Sequence, residues 1–345
     1  MSWLEAELRE QPLALGRFLE HEADRVGELA ATLASSGVHY VVIAARGSSD
    51  NAARYAQYVF GALNRLPVAL ATPSLYTLYH TPPRLDSALV IGISQSGASP
   101  DVWSVVAEAR SQGCPTIAIT NDPSSPLAEA AEHVIELHAG EERAVAATKT
   151  YVNSLAAVAL VSASLDGPGE RLAELRAMPE RVHAQIELSA AAALELERYA
   201  ETEHGTVIGR GINYGTAFEI ALKIRELSGL QVEAFSAADL LHGPIAALDG
   251  RMLAFVVVHS GAGAAGTEEL IDELRARRVA LAGISDDQAV LERVDTRLPL
   301  VAGVPEWLSP LVAVVPGQLA ALRLATLRGG DVDRPHGLHK VTLTT

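Results

Sequence analysis

Three stretches of this 345-residue chain gather polar side chains at spacings that suit chemistry. The first is Ser94-Gln95-Ser96-Gly97-Ala98-Ser99, followed by Pro100. Proline is favoured at the first position of a helix, where its missing N–H costs nothing. Three hydroxyls, one side-chain amide and the open N–H groups of a helix start then form a cup for a phosphate, whose charge the helix dipole favours. Gly47-Ser48-Ser49-Asp50 makes a second turn of the same kind. Neither is a P-loop, because no lysine follows the glycines, and Gly47 lacks the companion glycines of a dinucleotide fingerprint. Either cluster alone reads equally well as a helix N-cap. Two of them at strand ends of one sheet favour a phosphate site.

The second stretch is a helix from about Tyr214 that carries Glu219, Lys223 and Glu226 at i, i+4 and i+7. Charge spacing alone describes an exposed face with ordinary ion pairs. Near a strand end, the same face offers carboxylates able to take up and return a proton. His242, in Leu241-His242-Gly243-Pro244, sits on a tight turn from which an imidazole can reach a ligand, although a lone loop histidine such as His80 is ordinarily just solvated. The third stretch is the tail from Asp331 through His336 to Lys340. It is too polar for a core and apolar again at Val341-Thr342-Leu343, so it is expected to dock over a site.

These groups need elements to position them. Short β-branched runs (VHYVVIAA, LPVAL, SALVIGIS, PTIAIT, HVIEL) alternate with helices from about Asn51 and about Pro100. Continuous apolar strands of that kind predict parallel sheets covered on both faces, with ligands at the strands' carboxyl ends. The pattern then repeats. Arg46-Gly47 matches Arg210-Gly211 and Ser96-Gly97 matches Ser260-Gly261, both 164 positions apart, while His80 and His242 are 162 apart. TIAITND from Thr116 likewise resembles ALAGISDD from Ala280. The fold class is therefore α/β, as two tandem doubly wound domains, 1–170 and 171–330, with the tail 331–345 closing over the site. The copies have diverged: His259-Ser260-Gly261 and Gly211-Ile212-Asn213 have lost most of the hydroxyls of their counterparts.

A formal charge of −15 argues against a nucleic-acid surface, and it leaves any anionic substrate to local amides and hydroxyls. One cysteine, Cys114, makes neither a disulfide framework nor a zinc site, and it suits a reducing, cytoplasmic setting. The opening residues do not read as a signal peptide. Pro316, Gln318 and Arg323 interrupt the longest apolar stretch, from Pro310 to Leu327, which argues against a membrane span.

The chain resembles the double sugar-isomerase (SIS) domain family, which includes the isomerase half of glucosamine-6-phosphate synthase and stand-alone glucosamine-6-phosphate deaminases. The resemblance rests on Ser94-Gln95-Ser96-Gly97 with Ser99, on Ala217 to Glu226, on Leu241-His242-Gly243-Pro244 and on the tail to Lys340, all in the family order. It implies phosphate binding by Ser49, Ser94, Gln95, Ser96 and Ser99, with Ser48 adjacent. It further implies C1–C2 proton transfer by Glu226, ring opening assisted by His242, and contact of Lys340 with the sugar hydroxyls. The segment Val145 to Lys149 matches one that lines the sugar pocket. In the family the histidine comes from the neighbouring subunit, which implies a homodimer.

Some positions depart from the synthase. His336 stands where it has an arginine, Ala147 where it has a serine before Thr-Lys, and Ser2 where its cysteine nucleophile would be. Arg46 to Asn51 and the Lys340-Val341-Thr342 ending resemble the deaminase branch. The expected function is an aminosugar-phosphate deaminase or isomerase that needs no glutamine, metal or redox cofactor. The alternatives are another phosphosugar isomerase or deglycase, and a non-catalytic phosphosugar sensor.

Overall fold

The computed structural model describes residues 1–167 and 169–341. Expectations that fall on 342–345, Thr342 and Leu343 included, lie outside the described residues. The chain forms two compact units. The N-terminal unit comprises Glu10–Glu142, Ala147–Pro179 and the tail from His339; the C-terminal unit comprises Met1–Arg9, Arg143–Ala146 and Glu180–Leu338. The units thus interleave in sequence: 171–179 go with the first sheet, 1–9 and 143–146 go with the second, and the tail divides after Leu338.

The N-terminal unit holds strands β1 (Tyr40–Ala44), β2 (Val68–Leu70), β3 (Ala88–Ile93), β4 (Thr116–Thr120) and β5 (His133–Glu136), all parallel in the order β2-β1-β3-β4-β5. The C-terminal unit holds β6 (His204–Gly209), β7 (Gln231–Ser236), β8 (Met252–Val258), β9 (Ala280–Ser285) and β10 (Thr296–Pro299) in the equivalent order β7-β6-β8-β9-β10. The repeat read from the residues is therefore a repeat of topology. β3 and β4 are buried along their whole length, as both-face helix cover requires.

Each sheet builds its own core. Val42, Ala44, Val90 and Ala118 pack with Val102, Val105 and Val106 of the Pro100–Ser111 helix. Ile208, Ala254, Val256 and Leu281 pack with Leu270, Ile271 and Leu274 of the Thr267–Ala276 helix. The Lys149–Leu165 helix is buried continuously from Lys149 to Ala163. The Pro310–Leu327 helix is long and apolar enough to cross a membrane by composition, but 72% of it is buried inside the protein, which makes it a core helix.

In each unit the chain runs outward from the first strand to the second and then returns to the third on the other side of the first. That reversal opens a crevice at the carboxyl ends of β1 and β3, and likewise of β6 and β8, where ligands of such sheets bind.

Candidate functional site

The two serine clusters occupy the first of these crevices. Gly47 caps the Ser48–Asn64 helix with φ +54, a left-handed conformation that glycine adopts without cost. The helix starts at Ser48, three residues before the sequence expectation, so Ser48 and Ser49 lie in its first turn. After β3, Ser94 is buried while Gln95, Ser96 and Ser99 are half-buried. The Gly97 N–H donates to Ser94 Oγ at 3.1 Å and the Ala98 N–H to Ser96 Oγ at 3.3 Å. Ser99 takes the N-cap position of the Pro100–Ser111 helix in an extended conformation, but its side chain does not cap. The N-cap alternative therefore does not account for that hydroxyl.

Two further contacts shape the cup. The Asn121 N–H and the Thr120 hydroxyl donate to the Gln95 carbonyl, at 3.1 and 3.3 Å, and fasten the loop to the end of β4. Arg46 Nε, just beyond β1, donates to the buried Asp101 carboxylate at 2.6 Å, tying the Gly47–Ser49 turn to the helix that follows Ser99. Neither Arg46 nor Asp101 stood out in the sequence as a site residue, because a charged pair 55 positions apart has no local signature.

In the C-terminal unit, the Tyr214–Ser228 helix carries the acid-base face, and that face is not the exposed one its spacing suggests. Glu219 and Lys223 have side chains 0% and 2% exposed, and only Glu226, at 25%, opens outward. Lys223 Nζ lies 3.7 Å from Glu219 and 2.5 Å from Glu226. A buried ion pair adds little net stability, because desolvation offsets the attraction. Its effect here is geometric: it fixes the carboxylate of Glu226. Glu226 lines a cavity of about 740 Å³ together with Arg225, Asp331, Arg334 and His336. The structure thus brings Glu226 and His336 to one cavity. His242 is not among its lining residues; it lies exposed at the end of the Ala237–Leu241 helix.

The remaining expected residues fall on the tail and on the segment before the Lys149–Leu165 helix. Asp333 accepts the Trp3 and Leu4 N–H groups at 3.0 and 2.8 Å, and its carbonyl accepts the Val145 N–H at 3.0 Å. Ala147 is half-buried. Lys149 is buried and paired with Glu10 at 2.6 Å. Lys340 Nζ donates to Glu142 at 2.7 Å. The sequence did not single out Glu142, since its partner comes 198 positions later. Burial alone would push the Glu142 carboxyl up. The Lys340 ammonium and hydrogen bonds from Lys340, the Thr148 N–H and the Thr150 hydroxyl outweigh burial and hold it below the ordinary glutamate range.

The chain is thus a duplicated parallel α/β protein with a hydroxyl-lined loop at one switch point and a lysine-held carboxylate in the other unit. The SIS domain model matches it twice, over residues 36–163 and 199–328, and the chain belongs to the SIS domain family. It is 35% identical to a glutamine–fructose-6-phosphate aminotransferase (isomerizing) from Gloeobacter violaceus, over 97% of this chain and 57% of that protein. The chain thus spans little more than half the length of that relative. Among solved structures it is similar to a Silicibacter pomeroyi protein described as a phosphosugar isomerase (31% identity, TM-score 0.86, 96% of this chain and 99% of that one). It is similar also to the C-terminal domain of glucosamine-fructose-6-phosphate aminotransferase from Francisella tularensis (27% identity, TM-score 0.86, 97% and 98%).

Proposed function

We propose that this chain is an aminosugar-phosphate deaminase/isomerase that converts glucosamine 6-phosphate and water to fructose 6-phosphate and ammonia. The observation that carries the reading is the carboxylate of Glu226, fixed by a buried lysine and facing a cavity. A protein that only sensed the sugar is expected to have lost Glu226 or His242, and this chain retains both. In this reading Gly47, Ser48, Ser49, Ser94, Gln95, Ser96 and Ser99 hold the phosphate, and His242 assists opening of the ring to the C1 aldehyde. Glu226 removes the C2 proton and returns it to C1, leaving an imine at C2. Water adds to that imine, and ammonia leaves as the C2 ketone forms. Lys223 keeps Glu226 placed, and Lys340, Val145, Ala147 and His336 surround the sugar. The homodimer, the cytoplasmic setting and independence from glutamine belong to the same proposal.

Support for an amine-releasing reaction comes from Arg46 to Asn51 and the Lys340-Val341-Thr342 ending, which resemble the deaminase branch, while His336 and Ala147 alter how the sugar is held. The similarity to a protein described as a phosphosugar isomerase keeps a second reading in view, a plain ketose/aldose shift on the same residues. The test is release of ammonia and fructose 6-phosphate from glucosamine 6-phosphate, run beside the reverse reaction with and without glutamine. Loss of the base is expected to cost about 10²–10⁴-fold in kcat in Glu226→Gln. Full turnover by that variant would overturn the assignment. Interconversion of a phosphosugar that lacks an amine would favour the second reading.

A further inference from the structure

The loop after β8, the counterpart of the serine loop, holds a carboxylate against its backbone where the first copy has hydroxyls. At the offset of 164 that aligns Ser96-Gly97 with Ser260-Gly261, Ala98 and Ser99 align with Ala262 and Gly263. The N–H groups of Ala262 and Gly263 donate to the two oxygens of one side chain, Glu306 Oε2 at 3.0 Å and Oε1 at 2.7 Å. Two consecutive amides converging on two oxygens of an anion is the geometry by which backbone holds a phosphate.

The glycines fit this occupant. Gly261 has φ +145, and a Cβ on it would lie 2.3 Å from Glu306 Oε2; a Cβ on Gly263 would lie 3.0 Å from Oε1. Where the other copy has Ser99, this copy needs Gly263 to admit the carboxylate. The surroundings are already arranged around it. Asp286 accepts the Ser260 N–H at 2.7 Å, buried His259 donates from Nδ1 to the Ser260 carbonyl at 2.9 Å, and Arg210 donates to the Ala265 carbonyl at 2.6 Å.

The same offset of 164 aligns Glu306 with Glu142. Each unit therefore carries a glutamate in the connection from its fifth strand to its long buried helix. Glu142 is engaged by Lys340, Thr148 and Thr150. Glu306 is engaged by the loop amides.

We propose that Glu306 is an internal ligand that fills the anion cradle of the second copy, so that the chain takes up one phosphate and not two, and that removing this side chain opens the cradle to inorganic phosphate or a phosphate ester. The count of one rests on the proposed reading of the serine loop; the closed cradle does not. The experiment is calorimetric titration and thermal unfolding with inorganic phosphate on wild type, Glu306→Ala, Ser96→Ala/Ser99→Ala and the triple variant. We expect one site in wild type, none in the double serine variant, two in Glu306→Ala and one in the triple variant. Lowered thermal stability of Glu306→Ala is expected to recover as phosphate is raised. Glu306→Gln, which keeps one acceptor without the charge, gives the same pattern with a smaller recovery and serves if the alanine variant does not fold. A triple variant no more responsive to phosphate than the double serine variant overturns the proposal. A phosphate site that persists in the double variant and is unchanged by Glu306→Ala overturns it too. If wild type ignores phosphate while Glu306→Ala binds it, the serine-loop reading fails and the cradle stands.

Discussion

Glu142, wholly buried, accepts the ammonium of Lys340 at 2.7 Å, and its oxygens also take the N–H groups of Thr148 and Thr150 and the Thr150 hydroxyl. One carboxylate therefore anchors the end of the tail and organises the start of the Lys149–Leu165 helix. Glu142→Ala leaves these donors without their acceptor, and the expected cost is roughly 3 kcal/mol of unfolding free energy. Denaturant titration should show a lowered midpoint at unchanged slope. Limited proteolysis should show earlier cleavage near residue 340 in the variant.

The same pair predicts a pH dependence. Burial would raise the Glu142 carboxyl, but Lys340 and the threonine hydrogen bonds bring it below the ordinary 4.5. A carboxyl more acidic in the folded than in the unfolded chain stabilises the fold above its unfolded value. That contribution is lost as pH falls through the folded value. In Lys340→Met the two largest opposing effects are gone, burial dominates, and ionising Glu142 becomes a penalty felt near neutrality. The Tm difference between wild type and Lys340→Met should be largest near pH 7 and close as pH drops below 4.5. A difference constant across that range would show that the lysine acts by packing alone.

Much of this was legible in the chain because strands buried on both faces must be continuously apolar. SALVIGIS and PTIAIT could be placed to within a residue or two of β3 and β4 for that reason, and the offset of 164 exposed the duplication. Contacts whose meaning depends on a distant partner were not legible. Glu142, Glu306 and Asp101 carry no local signature, and their partners are Lys340, the Ala262 and Gly263 amides and Arg46, all distant in sequence. The spacing of Glu219, Lys223 and Glu226 misled in the opposite direction, since helical periodicity shows which residues share a face and not whether that face is covered.

In the proposed reaction Glu219 is a positioning residue, shielded from solvent and linked to Glu226 through Lys223. Glu219→Gln removes one of the two carboxylates beside Lys223 and loosens the lysine that holds Glu226. The expected result is a fall in kcat of about tenfold, near 1.4 kcal/mol, with KM little changed. A fall in stability with kcat unchanged in the folded variant would mark the residue as structural only.

Asp101 joins the two halves of the serine cup. It is buried at the second position of the Pro100–Ser111 helix and receives Arg46 Nε from beyond the end of β1. Asp101→Asn removes the ion pair while preserving shape and an acceptor oxygen. The helix should survive, whereas the Gly47–Ser49 turn loses its charged tether to the loop at Ser94–Ser99. A phosphate held by both turns would then bind about tenfold more weakly, roughly 1.4 kcal/mol, in calorimetric titration with inorganic phosphate. Arg46→Lys should give a similar loss, because a lysine cannot reproduce the directed guanidinium contact. If both variants bind phosphate as wild type does, the two turns act independently, and the phosphate assignment contracts to the loop after β3.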